Sequence, residues 1–161
     1  MIEFFNQYSA LIAIPGFIIA IFALLPIRSW KKRIPLYSAV GIIGLVAIFA
    51  LQPGESTVAS EVEAQAVITS GKPVFVEFFS NTCTACLASE PIVRSLEGEL
   101  GEDVQILKLN VQDRIASQLI REYRAYLTPT FIVVGREGEV LWRQSGGLLD
   151  KGAALEALRG A

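Results

Sequence analysis

Histidine is absent from this 161-residue chain, and cysteine occurs only twice, at Cys83 and Cys86. A closed zinc or iron–sulfur site takes about four nitrogen or sulfur ligands, so a single chain with this inventory does not build one by itself. Charge is missing from two long stretches, residues 8–27 and 35–51. With no charged side chain inside, neither stretch offers a proton or ion pathway. The remainder, 52–161, has no Lys/Arg cluster. Its ten basic residues are outnumbered by fifteen acidic ones, which argues against a nucleic-acid partner. Internal repeats and low-complexity tracts are also lacking.

What is present is apolar. At 52% hydrophobic residues and a mean hydropathy of +0.48, the chain exceeds one ordinary soluble domain, and the excess lies at the N-terminus. A helix needs ~20 apolar residues to cross a bilayer, so 8–27 and 35–51 predict two transmembrane helices, the second slightly short. Residues 28–33 between them hold four of the fourteen basic residues, while Glu3, Glu55, Glu61 and Glu63 lie on the outer flanks. The positive-inside rule puts loop 28–33 in the cytoplasm and both termini outside, with Tyr8 and Trp30 at interfacial level. The first stretch lacks a basic lead-in and a small-x-small cleavage site. The second imitates a signal peptide better, but Ile48 stands badly at the minus-three place before Ala50. Gly16-x-x-x-Ala20 and Gly41-x-x-Gly44 are small-residue pairs on which helices pack, against each other or against another membrane protein. The expected organisation is a membrane anchor (1–51), a linker (52–56) and a folded domain (57–161).

Within that domain, Ser60-Glu61-Val62-Glu63 is a capping-box pattern opening a helix through 69. A buried strand is predicted over 74–79, a helix over 85–100 kinked at Pro91, and a strand over 104–110. Asp113 caps a helix that carries Ile115, Leu119, Ile120 and Tyr123 on one face. Strands 130–134 and 139–144 form a hairpin, and a helix over 149–158 follows. This order predicts an α/β fold, a mixed sheet with helices on both faces.

The pair Cys83-Thr84-Ala85-Cys86 sits where the first strand turns into a helix. There the first thiol meets free N–H groups and the helix dipole, which stabilise thiolate, and the second lies one turn away, placed to resolve a mixed disulfide. Dithiol redox chemistry is one reading. Two small thiols packed without chemistry is the other, although polar Asn81, Thr82 and Thr84 favour an exposed turn.

Four features stand in order over nearly all of 57–161: the run Val-Glu-Phe-Phe-Ser-Asn-Thr-Cys-Thr-Ala-Cys at 76–86, Pro91, Thr128-Pro129-Thr130 before a strand, and Gly146-Gly147 before the last helix. Together they resemble the thioredoxin family. The resemblance implies a thioredoxin-like fold behind the two transmembrane helices and a thiol:disulfide oxidoreductase. Its chemistry would rest on a redox-active Cys83–Cys86 disulfide with no other cofactor. It implies that Cys83 is an exposed nucleophile, that Cys86 is the resolving thiol, and that Thr128 and the cis-proline Pro129 present backbone groups to an incoming peptide. Glu77 falls where the family keeps a buried carboxylate. Burial raises such a group toward neutrality, and it can then shuttle the proton of Cys86.

Thr82 in place of tryptophan, Thr84-Ala85 in place of Gly-Pro, and Leu127 in place of a small residue depart from the family, and they leave the direction of electron flow open. Resemblance to membrane-tethered members implies disulfide-containing protein substrates, reduction on the extracytoplasmic side (periplasm, cell surface or lumen), and a transmembrane electron donor or other integral membrane partner. The alternative is an accessory subunit of a membrane complex that uses the domain for docking.

Overall fold

The computed structural model describes residues 2–24 and 30–161. Three helices come first: α1 (Ile2–Gln7), α2 (Ser9–Leu24) and α3 (Trp30–Leu51). Among the described residues one stretch, Ile34–Leu51 of α3, is long and apolar enough to cross a membrane, whereas α2 has 16 residues. The expected span 8–27 starts at a break between α1 and α2, and its last three residues, with loop positions 28 and 29, lie outside the described residues. Residues 30–33, expected as loop, open α3 instead, as suits the helix-forming Lys and Arg. Ile14 packs beside Gly44, where an added Cβ would touch it at 3.6 Å, while Gly16 and Gly41 face open space. The α2–α3 contact thus uses only one of those three glycines. Phe17, Ile19, Ile42, Ile43 and Phe49 point outward, exposed.

The linker is tied down. Gly54 donates its N–H to Asn81 Oδ1 (3.1 Å) and accepts from Asn81 Nδ2 (2.8 Å). Ser56 Oγ donates to Asp113 Oδ2 (2.9 Å) and accepts the Asn110 N–H (3.0 Å).

Helix α4 (Glu61–Ile68) is capped as its pattern predicts: Ser60 Oγ accepts the Glu63 N–H at 3.2 Å. The Glu63 carboxylate reaches back one residue further than a standard box, to the Ala59 N–H at 2.8 Å. Strand β1 (Val74–Phe79) is buried throughout. Successive strand residues point to opposite faces, so β1 serves two cores. Val74, Val76 and Phe78 join Leu107, Leu109 and Ile132 beneath Ala64 and Ile68 of α4. Phe75 joins Phe131 and Val133 against Val93 and Leu96 of α5 (Thr84–Glu97) and Ala154 and Leu158 of the last helix. Pro91 lies inside α5 without ending it.

Strand β2 (Gln105–Asn110) pairs with β1 in parallel. The helix expected after Asp113 is a 3-10 turn (Arg114–Ala116) followed by a short α6 (Ser117–Glu122). Asp113 makes no side-chain cap, because its carboxylate is engaged by Ser56. Strand β3 (Thr130–Val134) runs antiparallel to β1, and β4 (Val140–Ser145) antiparallel to β3, giving the order β2-β1-β3-β4. Between β4 and α7 (Lys151–Arg159), Gly146 and Gly147 both take left-handed backbone (φ 75° and 76°), which glycine adopts without steric penalty. The turn brings the Gly146 N–H to the Pro129 carbonyl at 2.7 Å.

Candidate active site

Cys83 is the N-cap residue of α5. Its backbone is extended (φ −90°, ψ 120°), and its sulfur accepts the Cys86 N–H at 3.3 Å, taking the place of the serine or aspartate oxygen common at helix starts. The positive end of the helix and its free N–H groups therefore converge on this sulfur. A hydrogen bond from the Cys86 thiol, helped by Thr128 and by the Cys86 and Ala85 N–H groups, outweighs burial and lowers the Cys83 thiol to about 6. Burial pushes Cys86 the opposite way, far above the thiol range, and its hydrogen bond and charge repulsion with Cys83 add to that. Two thiols one turn apart are thus split into a ready thiolate and a thiol that holds its proton.

Glu77 is fully buried. It lies on the β1 face of Phe75 and Phe79, and Phe79 packs against both cysteines. In the parallel register its neighbour is Lys108, whose Nζ stands 3.7 Å from Glu77 Oε2, 3.2 Å from Glu90 Oε2 and 3.5 Å from Glu97 Oε1. Glu90 follows Cys86 by one turn of α5 and Glu97 by three, so both lean over the same face of the sheet. Arg94 Nε gives Glu90 a second cation at 2.8 Å. Neither oxygen of Glu77 has a hydrogen-bond partner among the described residues. Burial therefore dominates and raises Glu77 to about 8, against the pull of Lys108 and with Glu90 and Glu97 adding to the rise. For Lys108, burial pulls downward, but attraction to Glu77, Glu90 and Glu97 wins and holds it above its ordinary value.

No motif in the sequence marks Lys108, Glu90 or Glu97. Two signals were available: Lys108 is a charged residue at an inward place of an alternating strand, and Glu90 lies one turn after Cys86.

Thr128 and Pro129 enter the site across a cis peptide bond, and in its protonated form the Cys83 thiol donates to the Thr128 carbonyl at 3.3 Å. The five candidate residues are thereby gathered about the start of α5: Cys83, Cys86, Thr128 and Pro129 around the sulfurs, with Glu77 below. One expectation is corrected. Cys83 is not exposed but fully buried, because residues 6–10 lie across the site. Asn6 Nδ2 donates to the Thr128 carbonyl (2.9 Å), and Asn6 Oδ1 accepts from the Thr128 N–H (2.7 Å) and hydroxyl (2.8 Å). The Gln7 carbonyl accepts from the Ser80 and Thr82 hydroxyls, at 2.9 and 2.8 Å. Ser9 Oγ accepts the Thr84 N–H and the Ala10 N–H donates to the Thr82 carbonyl, both at 2.9 Å.

The profile of the family described as Thioredoxin matches residues 56–157. The chain is 28% identical over 117 residues to the "Thioredoxin-like protein HCF164, chloroplastic" of Oryza sativa subsp. japonica, covering 70% of this chain and 45% of that protein. It is 27% identical over 123 residues to the "Thiol:disulfide interchange protein TxlA homolog" of Synechocystis sp., covering 72% of this chain and 68% of that one. The short form of thioredoxin f from spinach chloroplast superposes with a TM-score of 0.53 at 25% identity, over 63% of this chain and 88% of that chain. The chain spans less than half the length of the rice protein and of its Arabidopsis thaliana counterpart, at 45% and 44%.

Proposed function

The chain belongs to the thioredoxin family, and from that premise we propose that it is a membrane-anchored thiol:disulfide oxidoreductase that reduces protein disulfides on the extracytoplasmic side. The observation that carries the activity is the placement of the two thiols at one helix start, with Cys83 as the N-cap of α5 accepting the Cys86 N–H at 3.3 Å, an arrangement that lowers Cys83 and leaves Cys86 raised. The Cys83 thiolate attacks one sulfur of a substrate disulfide, breaking the S–S bond, releasing one substrate thiolate and forming a mixed disulfide. Cys86 then loses its proton and attacks Cys83 Sγ, releasing the second substrate thiolate. Two electrons have passed to the substrate, and the Cys83–Cys86 disulfide remains as the only redox group needed.

Glu77 is the positioning acid of this scheme. Raised to about 8, it accepts the proton of Cys86 when ionised and returns one when the disulfide is reduced again, a direct or water-bridged exchange suited to a group titrating near working pH. Thr128 and Pro129 supply the backbone on which a substrate peptide lies.

The apolar length of α3 and the charge-free run 8–27 support an anchor of two spans. The basic residues at 28–33 support their connection lying in the cytoplasm and the domain outside, where a transmembrane electron donor would re-reduce it. The names of the rice and Synechocystis relatives, chloroplastic and thiol:disulfide interchange, agree with this class of task. A second reading, a docking module in a membrane complex, draws on the burial of both thiols.

A redox titration of the full chain in detergent micelles, read by thiol alkylation, tests the proposal. A midpoint near or below about −220 mV is expected, one near −120 mV would mark an oxidant, and no reversible two-electron transition would leave the docking module. In cells, Cys86→Ser should trap mixed disulfides with substrates and Cys83→Ser should trap none.

A further inference from the structure

The groups that engage residues 6–10 are the free backbone and hydroxyl groups that surround Cys83. Thr82 and Thr84, the residues on either side of the cysteine, are each taken through a main-chain atom, and Thr128, whose carbonyl accepts the Cys83 thiol, is held on its N–H, carbonyl and hydroxyl by one side chain, Asn6. Thr128 is fully buried as a result, and so is Cys83.

We propose that residues 6–10 are a built-in occupant of the peptide-docking surface, and that Asn6 sets access to the dithiol. Resting on the oxidoreductase reading above, this means that substrate exchange starts with displacement. A partner polypeptide must offer its own donor and acceptor to Thr128 and lift residues 6–10 before a sulfur can reach Cys83. Only a segment able to match the Asn6 pair and the Gln7 carbonyl replaces the occupant without leaving buried polar groups unmet. Small thiol reagents and casual disulfides meet a closed site, and the fraction of open molecules scales their rate of reaction.

The occupant also leads directly into a helix. Ser9, which accepts the Thr84 N–H, is the first residue of α2, and an open apolar groove of about 300 Å³ is lined by α2, by α3 and by Thr84, Leu87 and Ala88 of α5.

The test is the rate at which N-ethylmaleimide modifies each cysteine in the reduced full chain held in lipid nanodiscs, resolved by peptide mass spectrometry. This readout needs no exchange activity, so it stands apart from the redox titration: that titration can fail while the occlusion holds, and the reverse. Asn6→Ala should speed modification of Cys83 about tenfold, the equivalent of about 1.4 kcal/mol or one to two net hydrogen bonds, and Ser9→Ala should speed it several-fold. Cys86 should stay protected in both. Unchanged Cys83 rates in the two variants would overturn the proposal. So would a parallel rise at Cys86, which would mean that residues 6–10 hold the fold together rather than cover one thiol.

Discussion

Among the described residues the Glu77 carboxyl has no hydrogen-bond partner; it is fully buried, with its cation at 3.7 Å. Its proton therefore has thermodynamic weight. Below pH 4.5 the folded and unfolded chains both bind that proton; between 4.5 and about 8 only the folded chain keeps it. The stability this lends is present in full below 4.5 and is lost as pH rises through about 8. In Glu77→Gln that loss should vanish, so the variant gains on wild type across the window by on the order of a few kcal/mol. Denaturant unfolding of the reduced chains at a series of pH values measures the difference, and parallel curves would refute the assignment. Cys83, lowered from 9.0 to about 6, acts with the opposite sign, its contribution present above 9 and lost as pH falls through 6. It is common to both proteins and drops out of the comparison. The same substitution should erase an inflection near pH 8 in the rate at which Cys86 resolves a mixed disulfide. At this scale the cysteine pair was readable because four consecutive residues hold it. Asn6 was not, since its partner Thr128 lies 122 positions away and no local pattern connects them.

Strands β1 and β2 and helix α5 meet at Lys108, and the ion cluster there is a property of their packing rather than of any one of them. Parallel register sets Lys108 beside Glu77, and helical spacing brings Glu90 and Glu97 over both. Lys108→Met would leave Glu90, Glu97 and the protonated Glu77 around a space with no buried cation among the described residues. The expected loss is about 3–5 kcal/mol at pH 7, the range for breaking a buried ion pair from one side. Adding Glu90→Gln should recover part of it, and chemical denaturation of the single and double variants gives the answer; a single-variant loss below 1 kcal/mol would refute the role of the cluster. The limits of β1 and β3 were legible because apolar runs bounded by Pro, Gly and polar residues carry their own ends. The segment after Asp113 was misjudged because a capping residue is defined by what its side chain bonds, and Ser56 claims that carboxylate from 57 residues away.

For the whole molecule, the proposed arrangement places the domain outside the membrane and residues 28–33 inside. Protease added to right-side-out vesicles should therefore digest 57–161, and the same treatment of inverted vesicles should spare it; the reverse pattern would overturn the orientation. The expectation of two spans rests on freedom from charge over 8–27 and 35–51, and among the described residues one stretch, Ile34–Leu51, is long and apolar enough to cross a membrane. The break after Gln7 was not visible, because residues 6–10 are shaped by the domain they rest on. The linker has a consequence of its own. Only Gln52 and Pro53 separate the end of α3 from Gly54, which Asn81 grips on both main-chain atoms. A loose tether would let the domain sweep a volume that grows with its length, whereas this one leaves the domain almost no reach. In the proposed anchored arrangement, collisions then belong to partners that drift sideways through the lipid sheet, so turnover should follow their crowding per unit area of membrane rather than their amount in the surrounding fluid.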